Sequence, residues 1–396
     1  PLARVLGEME LCGFSADVNG LKALSSELDT RIKSLESEIY SLVGYEFNLN
    51  SPKQLGVALF EKLGLPAKKK TKSGYSTGAE VLEGLKNEHP AVSLLLNYRQ
   101  LAKLKSTYTD GLQDCIAEDG RIHSTFNQTE ARTGRISSLE PNLQNIPVRT
   151  AEGRRLREYF NAPAGRVLCD ADYSQIELRV LASMSGDANM INAFGSGTDI
   201  HTVTASQVFG LPQDMITPEL RSRAKAVNFG IVYGIGAFSL SKDIGVTRAE
   251  ADRYIKSYLA AYPDVAAYME KAIDDAKKNG YVTTLYGRRR YIPELSNSNG
   301  NMRAFGERVA RNAPIQGTAA DIIKIAMIKV SRSLKDEFPT ARLILQVHDE
   351  LIVECDEKDA EGVCALLERE MESAADLAVR LTAEAHFGKT WLEAKA

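Results

Sequence analysis

The sequence has one tryptophan, five histidines and five cysteines among 396 residues, and it contains no run of 18 uninterrupted apolar residues. The cysteines (Cys12, Cys115, Cys169, Cys355 and Cys364) are odd in number and widely spaced. Such a set fits neither a disulfide framework nor a zinc site, and predicts small buried hydrophobes in a reducing compartment. Without a long apolar run there is no candidate membrane helix, and the first residues lack the basic, apolar and small-residue succession of a secretory signal. A cytoplasmic protein is expected. The absence of low-complexity tracts and of a repeat at a period of about 20 to 50 residues argues against extended disorder and against a solenoid. What remains is ordinary soluble composition, 44% hydrophobic and 26% charged. Single cores usually stop growing at roughly 250 to 300 residues, so two or three structural units are expected.

A net charge of −3 would argue weakly against a nucleic-acid partner if charge were evenly spread, because phosphate binding needs concentrated Lys and Arg. It is uneven. From Glu350 onward there are twelve acidic residues against five basic ones, whereas Lys62, Lys68, Lys69, Lys70 and Lys72 share one segment with no acid. Taken alone, that lysine run reads as a solvated loop tip.

Leu28, Ile32, Leu35, Ile39 and Leu42 alternate four and three apart, which predicts an amphipathic helix over 21–43. Ser51, Pro52 and Gln54 read as N-cap, first helical residue and capping-box partner, and Thr77 with Glu80 repeats the device. The chain up to about residue 115 is thus mostly helical. From Arg121 short β-like runs begin, and Thr133 to Pro147 is expected to be irregular. Arg166 to Asp172 predicts a buried strand, and Ile176 to Met184 a helix with Val180 and Leu181 inward. Residues 199–280 read as helical, with a capping box at Thr247 and Glu250 and a break at Pro263. A strand-like run after Tyr281 and a helix over about 314–334 follow. Leu343 to Val347 and Leu351 to Glu354 then form a hairpin around His348, Asp349 and Glu350.

A turn that concentrates His, Asp and Glu between two apolar strands projects carboxylates at one sheet edge. Asp170 and Asp172 share one face at the end of the preceding strand. Spacing alone does not choose between them. If strand and hairpin are neighbours, their carboxylates suit two hard cations roughly 3.5 to 4 Å apart, an arrangement used in phosphoryl transfer. Single acids of this kind are commonly just solvated turn residues.

Arg221, Lys225, Phe229 and Tyr233 recur every fourth residue, so each side chain is displaced by only about 40° from the last. They form one stripe. Its cationic end suits a triphosphate and its aromatic end suits a base, with Gly230, Gly234 and Gly236 permitting close approach. The bland alternative is a helix with a basic edge and an aromatic core edge.

DYSQIELR at 172–179, RSRAKAVNFGIVYG at 221–234 and QVHDE at 346–350 resemble the three polymerase motifs of the family A DNA polymerases. TGRISS at 133–138, PNLQNIP at 141–147, DIH at 199–201, YGRRR at 286–290 and NAPIQGTAAD at 312–321 follow in the family's order, and the likeness spans essentially the whole chain.

The resemblance implies that Asp172 and Asp349, with the backbone carbonyl of Tyr173, hold two Mg²⁺ ions, for which Mn²⁺ can substitute. Glu350 would be an auxiliary acid, and Asp170, outside the motif, drops out. Gln175, Ile176, Glu177, His201, Arg221, Lys225, Phe229 and Tyr233 would contact the incoming dNTP. Among these, Glu177 would exclude ribose, Lys225 would act on the triphosphate, and Phe229 in place of tyrosine implies discrimination against dideoxynucleotides. Arg135, Gln144, Asn145, Arg288, Asn312, Gln316 and His348 would line primer-template DNA through phosphates and shared minor-groove acceptors. QTEARTGR at 128–135 departs from the more frequent family form at Ala131 and Arg132, which stay unassigned.

The implied fold is α+β, a right hand with an antiparallel palm sheet. Its parts would be the palm at 1–25, 119–198 and 286–396, a helical thumb at 26–118 and helical fingers at 199–285. The implied function is DNA-directed DNA polymerisation in replication or repair, by a monomer with no membrane partner. A lesion-bypass member, a single-subunit RNA polymerase or a non-catalytic DNA scaffold are the alternatives. The length leaves no room for the family's upstream exonuclease domains, so neither proofreading nor 5′ nuclease activity is expected, and the missing initiator Met points to a fragment or processed product.

Overall fold

Regular structure begins where apolar residues recur at helical spacing. A first helix, α1 (Leu2–Cys12), precedes α2 (Val18–Val43), in which Leu21, Leu24, Leu28, Ile32, Leu35, Ile39 and Val43 form the buried seam. The computed structural model describes residues 1–67, 70, 71, 74–148 and 150–395. Asp17 caps α2 by accepting a hydrogen bond from the Gly20 backbone N–H, and α2 packs along α3 (Pro90–Lys103). The predicted seam ended on Leu42, which is exposed; the step of four from Ile39 carries the seam to Val43 instead. Ser51 caps as expected, but Gln54 Oε1 accepts from the Asn48 N–H rather than closing a reciprocal box. The device expected at Thr77 is absent, because Thr77 is buried and held by Arg99 while Gly78 takes the cap position. Lys68, Lys69 and Lys72 of the lysine run lie outside the described residues.

The second part of the chain is built on one four-stranded antiparallel sheet. Its first strand, β1 (Arg166–Tyr173), leads into α4 (Ile176–Ser185), where Val180 and Leu181 are fully buried. A group of helices follows: α5 (Ile200–Phe209), α6 (Pro218–Val232), α7 (Arg248–Ala261) and α8 (Pro263–Asn279). Thr247 and Glu250 form the predicted reciprocal capping box, and Pro263 opens α8 at a position where its missing N–H costs nothing. A hairpin of β2 (Tyr281–Thr283) and β3 (Arg289–Tyr291) then precedes α9 (Gly300–Glu337).

The predicted start of that helix at Pro314 was wrong, since α9 runs through Pro314 from Gly300. Burial overrides the local rule. Ala310, Ala313, Pro314 and Ile315 are all buried, α8 packs along α9, and Ala310 and Ala313 share an apolar cluster with Ile273 and Val282. Thr133 to Pro147 is not wholly irregular either: Ser137–Leu139 pairs with Thr125–Asn127, and Leu143–Asn145 forms a helical turn.

The sheet is completed by β4 (Arg342–Val347) and β5 (Glu350–Asp356), followed by α10 (Ala360–Glu372), β6 (Ala383–Gly388) and the short α11 (Trp391–Ala394). Strand order is β4-β5-β1-β6, every pair antiparallel, with Glu350 opposite Asp172 and Ile352 opposite Asp170. The predicted hairpin and strand are therefore direct neighbours. Helices cover the sheet, α10 packing on β1, β5 and β6, and β1 and β5 are buried along nearly their whole length. All five cysteines are free thiols; Cys169, Cys355 and Cys364 are buried, while Cys12 and Cys115 are only partly so.

Candidate active site

The carboxylates sit where the sheet meets α4 and α6. Around a cavity of about 490 Å³, β1 contributes Asp172 and Tyr173 at its end, and the turn into α4 contributes Gln175, Ile176 and Glu177. The β4–β5 turn contributes His348 and Asp349, and α6 faces them with Arg221, Lys225, Phe229 and Tyr233. His201 of α5, Arg135, and Ala319 and Ala320 of α9 close the remaining walls. Thirteen of the nineteen predicted site residues line it, Arg135 and His348 included; one wall is acidic and the opposite wall carries the cationic and aromatic stripe.

Two turns that aim these groups use a backbone conformation rare outside glycine. Gln175, before α4, has φ 56° and His348 has φ 53°. Each such residue costs on the order of 1 kcal/mol or more and persists only where the surroundings fix it. Within α6, Gly230 is required by contact, since a Cβ there would meet Ile235 at 2.5 Å, and just past the helix Gly234 has φ +65° beside Arg308. Gly236 faces open space, contrary to the expected close approach.

The electrostatics separate residues that spacing left equivalent. Asp170 is buried beneath the cavity with no hydrogen-bond partner for either carboxyl oxygen among the described residues, and burial followed by the charge of Glu350 pushes it up to about 10. A carboxyl that keeps its proton is a poor cation ligand. Asp172, two residues on, keeps a 43% exposed side chain with one buried, unpartnered oxygen, Oδ1. Burial and then the charge of Asp172 push the Asp349 carboxyl up to about 7. A bound cation would reverse that last effect.

Other side chains are held by specific partners. Arg135 donates to Glu177 Oε1 at 2.7 Å, and Glu177 is nearly buried. Arg221 is gripped by Asp199 through Nε at 2.9 Å and a second guanidinium nitrogen at 3.0 Å. Phe229 and Tyr233 stack at 6.4 Å with an 18° interplanar angle. Burial lowers His201 to about 4, so the ring is neutral at pH 7; Asn228 Nδ2 donates to its Nδ1 at 3.0 Å, leaving the proton on Nε2.

A sequence model of DNA polymerase family A matches residues 18–393. The chain belongs to this family. It is 50% identical over 397 residues to DNA polymerase I of Geobacillus stearothermophilus and 52% identical over 398 residues to that of Bacillus subtilis, covering 100% of this chain and 45% of each relative. The chain thus spans about half the length of the curated relatives it matches. Among solved structures, the POL domain of Pol1 from M. smegmatis, in complex with DNA primer-template and dNTP, superposes with a TM-score of 0.94 at 45% identity, over 100% of this chain and 70% of that one. The fold is α+β of the family A polymerase type.

The remaining residues that the family motifs single out lie outside the cavity. Gln144 Nε2 donates to the Gln346 carbonyl at 3.1 Å, and the Asn145 carbonyl accepts from Tyr108 Oη at 2.6 Å. Arg288 is bound to Asp321 Oδ1 at 2.6 Å and Asn312 Nδ2 donates to the Tyr233 carbonyl at 2.9 Å, while Gln316 is half-buried on α9. Glu350 faces away from the cavity, its Oε1 accepting from Trp391 Nε1 at 2.9 Å and its Oε2 from Lys395 at 2.9 Å. The sequence reading missed Trp391, Lys395, Asp199 and Asn228. Asp199 lies inside the DIH string and was open to detection; Lys395 has no local pattern and meets Asp172 only through the fold.

Among the described residues no group of three or more His, Cys, Asp and Glu is arranged as a metal cage. Two carboxylates of raised mutual repulsion, one with an unpartnered oxygen, fit a divalent cation that takes its other ligands from water and substrate phosphate.

Proposed function

We propose that the chain is a DNA-directed DNA polymerase that extends a primer 3′ end with deoxynucleoside triphosphates on a DNA template and releases pyrophosphate, in DNA replication or repair. The observation that carries this reading is the single cavity with Asp172 and Asp349 on one wall and the Arg221, Lys225, Phe229 and Tyr233 stripe on the other. The likeness to a domain solved with primer-template and dNTP supports the same ligands here. The working parts are then a thumb at 26–118, fingers at 199–285 and a palm from 1–25, 119–198 and 286–396. Action as a monomer in the cytoplasm belongs to the same proposal.

Asp172 and Asp349, with the Tyr173 carbonyl, would hold two Mg²⁺ ions or Mn²⁺ in their place. Bound there, the ions would supply charge stabilisation for the attacking 3′ oxygen and the departing pyrophosphate. Arg221 and Lys225 would neutralise the triphosphate, and His201, neutral with a proton on Nε2, would donate a hydrogen bond to it rather than a charge. Phe229 would pack on the incoming nucleotide while Tyr233 closes over the templating position. Glu177, held by Arg135, would occupy the space of a ribose 2′ hydroxyl. Gln175 and Ile176 would line the nucleotide, and Gln144, Asn145, Arg288, Asn312, Gln316 and His348 the DNA.

Extension of a labelled primer with dNTPs or NTPs, in Mg²⁺ or in chelator, tests this. Mg²⁺-dependent extension by dNTPs alone is expected. DNA binding without extension would replace the reading with a scaffold, and extension by NTPs would replace it with an RNA polymerase.

A further inference from the structure

The acidic wall of the cavity is backed by a cation that no polymerase motif contains. Lys395 follows α11, and its Nζ lies 2.8 Å from Asp172 Oδ2, 2.9 Å from Glu350 Oε2 and 3.9 Å from Asp170 Oδ1. It is not among the residues lining the cavity, so it reaches Asp172 from behind. The element that carries it is firmly seated. Thr390 caps α11, the Trp391 backbone N–H donates to the Phe160 carbonyl at 2.8 Å, and the Trp391 ring is fully buried against Phe14 and Phe160 with centroids at 5.7 and 5.6 Å. Trp391 Nε1 also holds Glu350 Oε1, and the Arg157 guanidinium lies 4.1 Å above the indole. Glu350 therefore has fixed partners on both oxygens, whereas among the described residues Asp172 has only the ammonium on Oδ2 and no hydrogen-bond partner on Oδ1.

We propose that Lys395 is a positioning residue that occupies the metal-binding carboxylate Asp172 when no cation is bound and yields it, while staying on Glu350, when a divalent cation enters. The inference rests on the reading of Asp172 and Asp349 as the metal carboxylates. An ammonium carries one positive charge and a divalent ion two, and the two compete for the same carboxylate. Lys395 thus keeps the carboxylate of the metal-free protein oriented and its charge balanced, at the cost of weaker cation binding.

The test is Mn²⁺ binding by electron paramagnetic resonance in the DNA-free protein, with thermal unfolding in chelator and in Mn²⁺. Lys395→Met should bind Mn²⁺ at least about tenfold more tightly than the wild type, a change of ~1.4 kcal/mol. It should also unfold at lower temperature in chelator and recover in Mn²⁺. Lys395→Arg, which keeps the charge, should stay near the wild type in both measurements. A Lys395→Met protein with unchanged or weaker Mn²⁺ affinity, or with a stability loss that Mn²⁺ does not reverse, would reduce Lys395 to a structural ion pair and overturn the proposal. The Asp349→Ala protein marks the site. Wild-type binding indistinguishable from that variant would overturn the metal reading itself, and this inference with it.

Discussion

His201 lies at the cavity wall with its charge removed by burial, which lowers it from the ordinary 6.5 to about 4; Asp199 opposes the shift and Lys225 and Arg221 add to it. Between those two values the unfolded chain binds a proton that the folded protein refuses. The stability contributed by a neutral His201 is therefore fully present above pH 6.5 and lost as pH falls toward 4, by on the order of 2–3 kcal/mol. His201→Gln should flatten the acid-side slope of urea-unfolding stability over that window; parallel profiles for variant and wild type would remove the assignment. Arg135 joins two proposed roles at once, because its partner Glu177 is nearly buried and has a second oxygen, Oε2, without a hydrogen bond among the described residues. Arg135→Ala should relax discrimination against ribonucleotides at least about tenfold, as Glu177→Ala should, and the double variant should add little, since both act through one contact. Additive effects, or an Arg135→Ala defect confined to DNA affinity, would separate the two residues.

At the level of elements, the strength of a periodic signal decided what was readable. The stripe Arg221, Lys225, Phe229 and Tyr233 lies on one helix and faces one cavity, because four-residue steps survive any packing arrangement. The β4–β5 hairpin was legible for the same reason, apolar strands bounding a charged turn. Local signals that compete with tertiary contacts failed. Thr77 was drawn into a buried contact with Arg99, and α9 passed through Pro314 because its neighbours buried both sides of the proline. Gly317 shows how closely α9 meets the β2–β3 hairpin: a Cβ there would stand 2.6 Å from Thr284 Cγ2 and 3.3 Å from the Thr133 carbonyl. Thr284 Oγ1 in turn donates to Asp321 Oδ2 at 2.8 Å, the carboxylate that holds Arg288. Gly317→Ala should destabilise the protein by about 1–3 kcal/mol through overpacking, read as a lower urea midpoint. An unchanged midpoint would mean that the hairpin yields freely.

Over the whole molecule, the net charge of −3 conceals an acidic wall and a cationic stripe facing each other across one cavity. Sequence reading placed Asp172, Asp349 and the α6 side chains together through motif order, but nothing in the local sequence places Lys395 against Asp172, 223 residues away. The Arg221 pair with Asp199 was equally invisible to periodicity, since α6 supplies one partner and the residue capping α5 the other. The central claim is that the paired carboxylates serve the chemical step rather than the grip on DNA. Single-turnover incorporation of one dNTP, at saturating primer-template and nucleotide, compared between wild type and Asp349→Ala alongside primer-template affinity, tests it most directly. The account predicts a rate at least about 10³-fold lower, roughly 4 kcal/mol of barrier, with DNA affinity nearly unchanged. A variant that incorporates within about tenfold of the wild-type rate, or whose loss tracks weakened DNA binding, would contradict it.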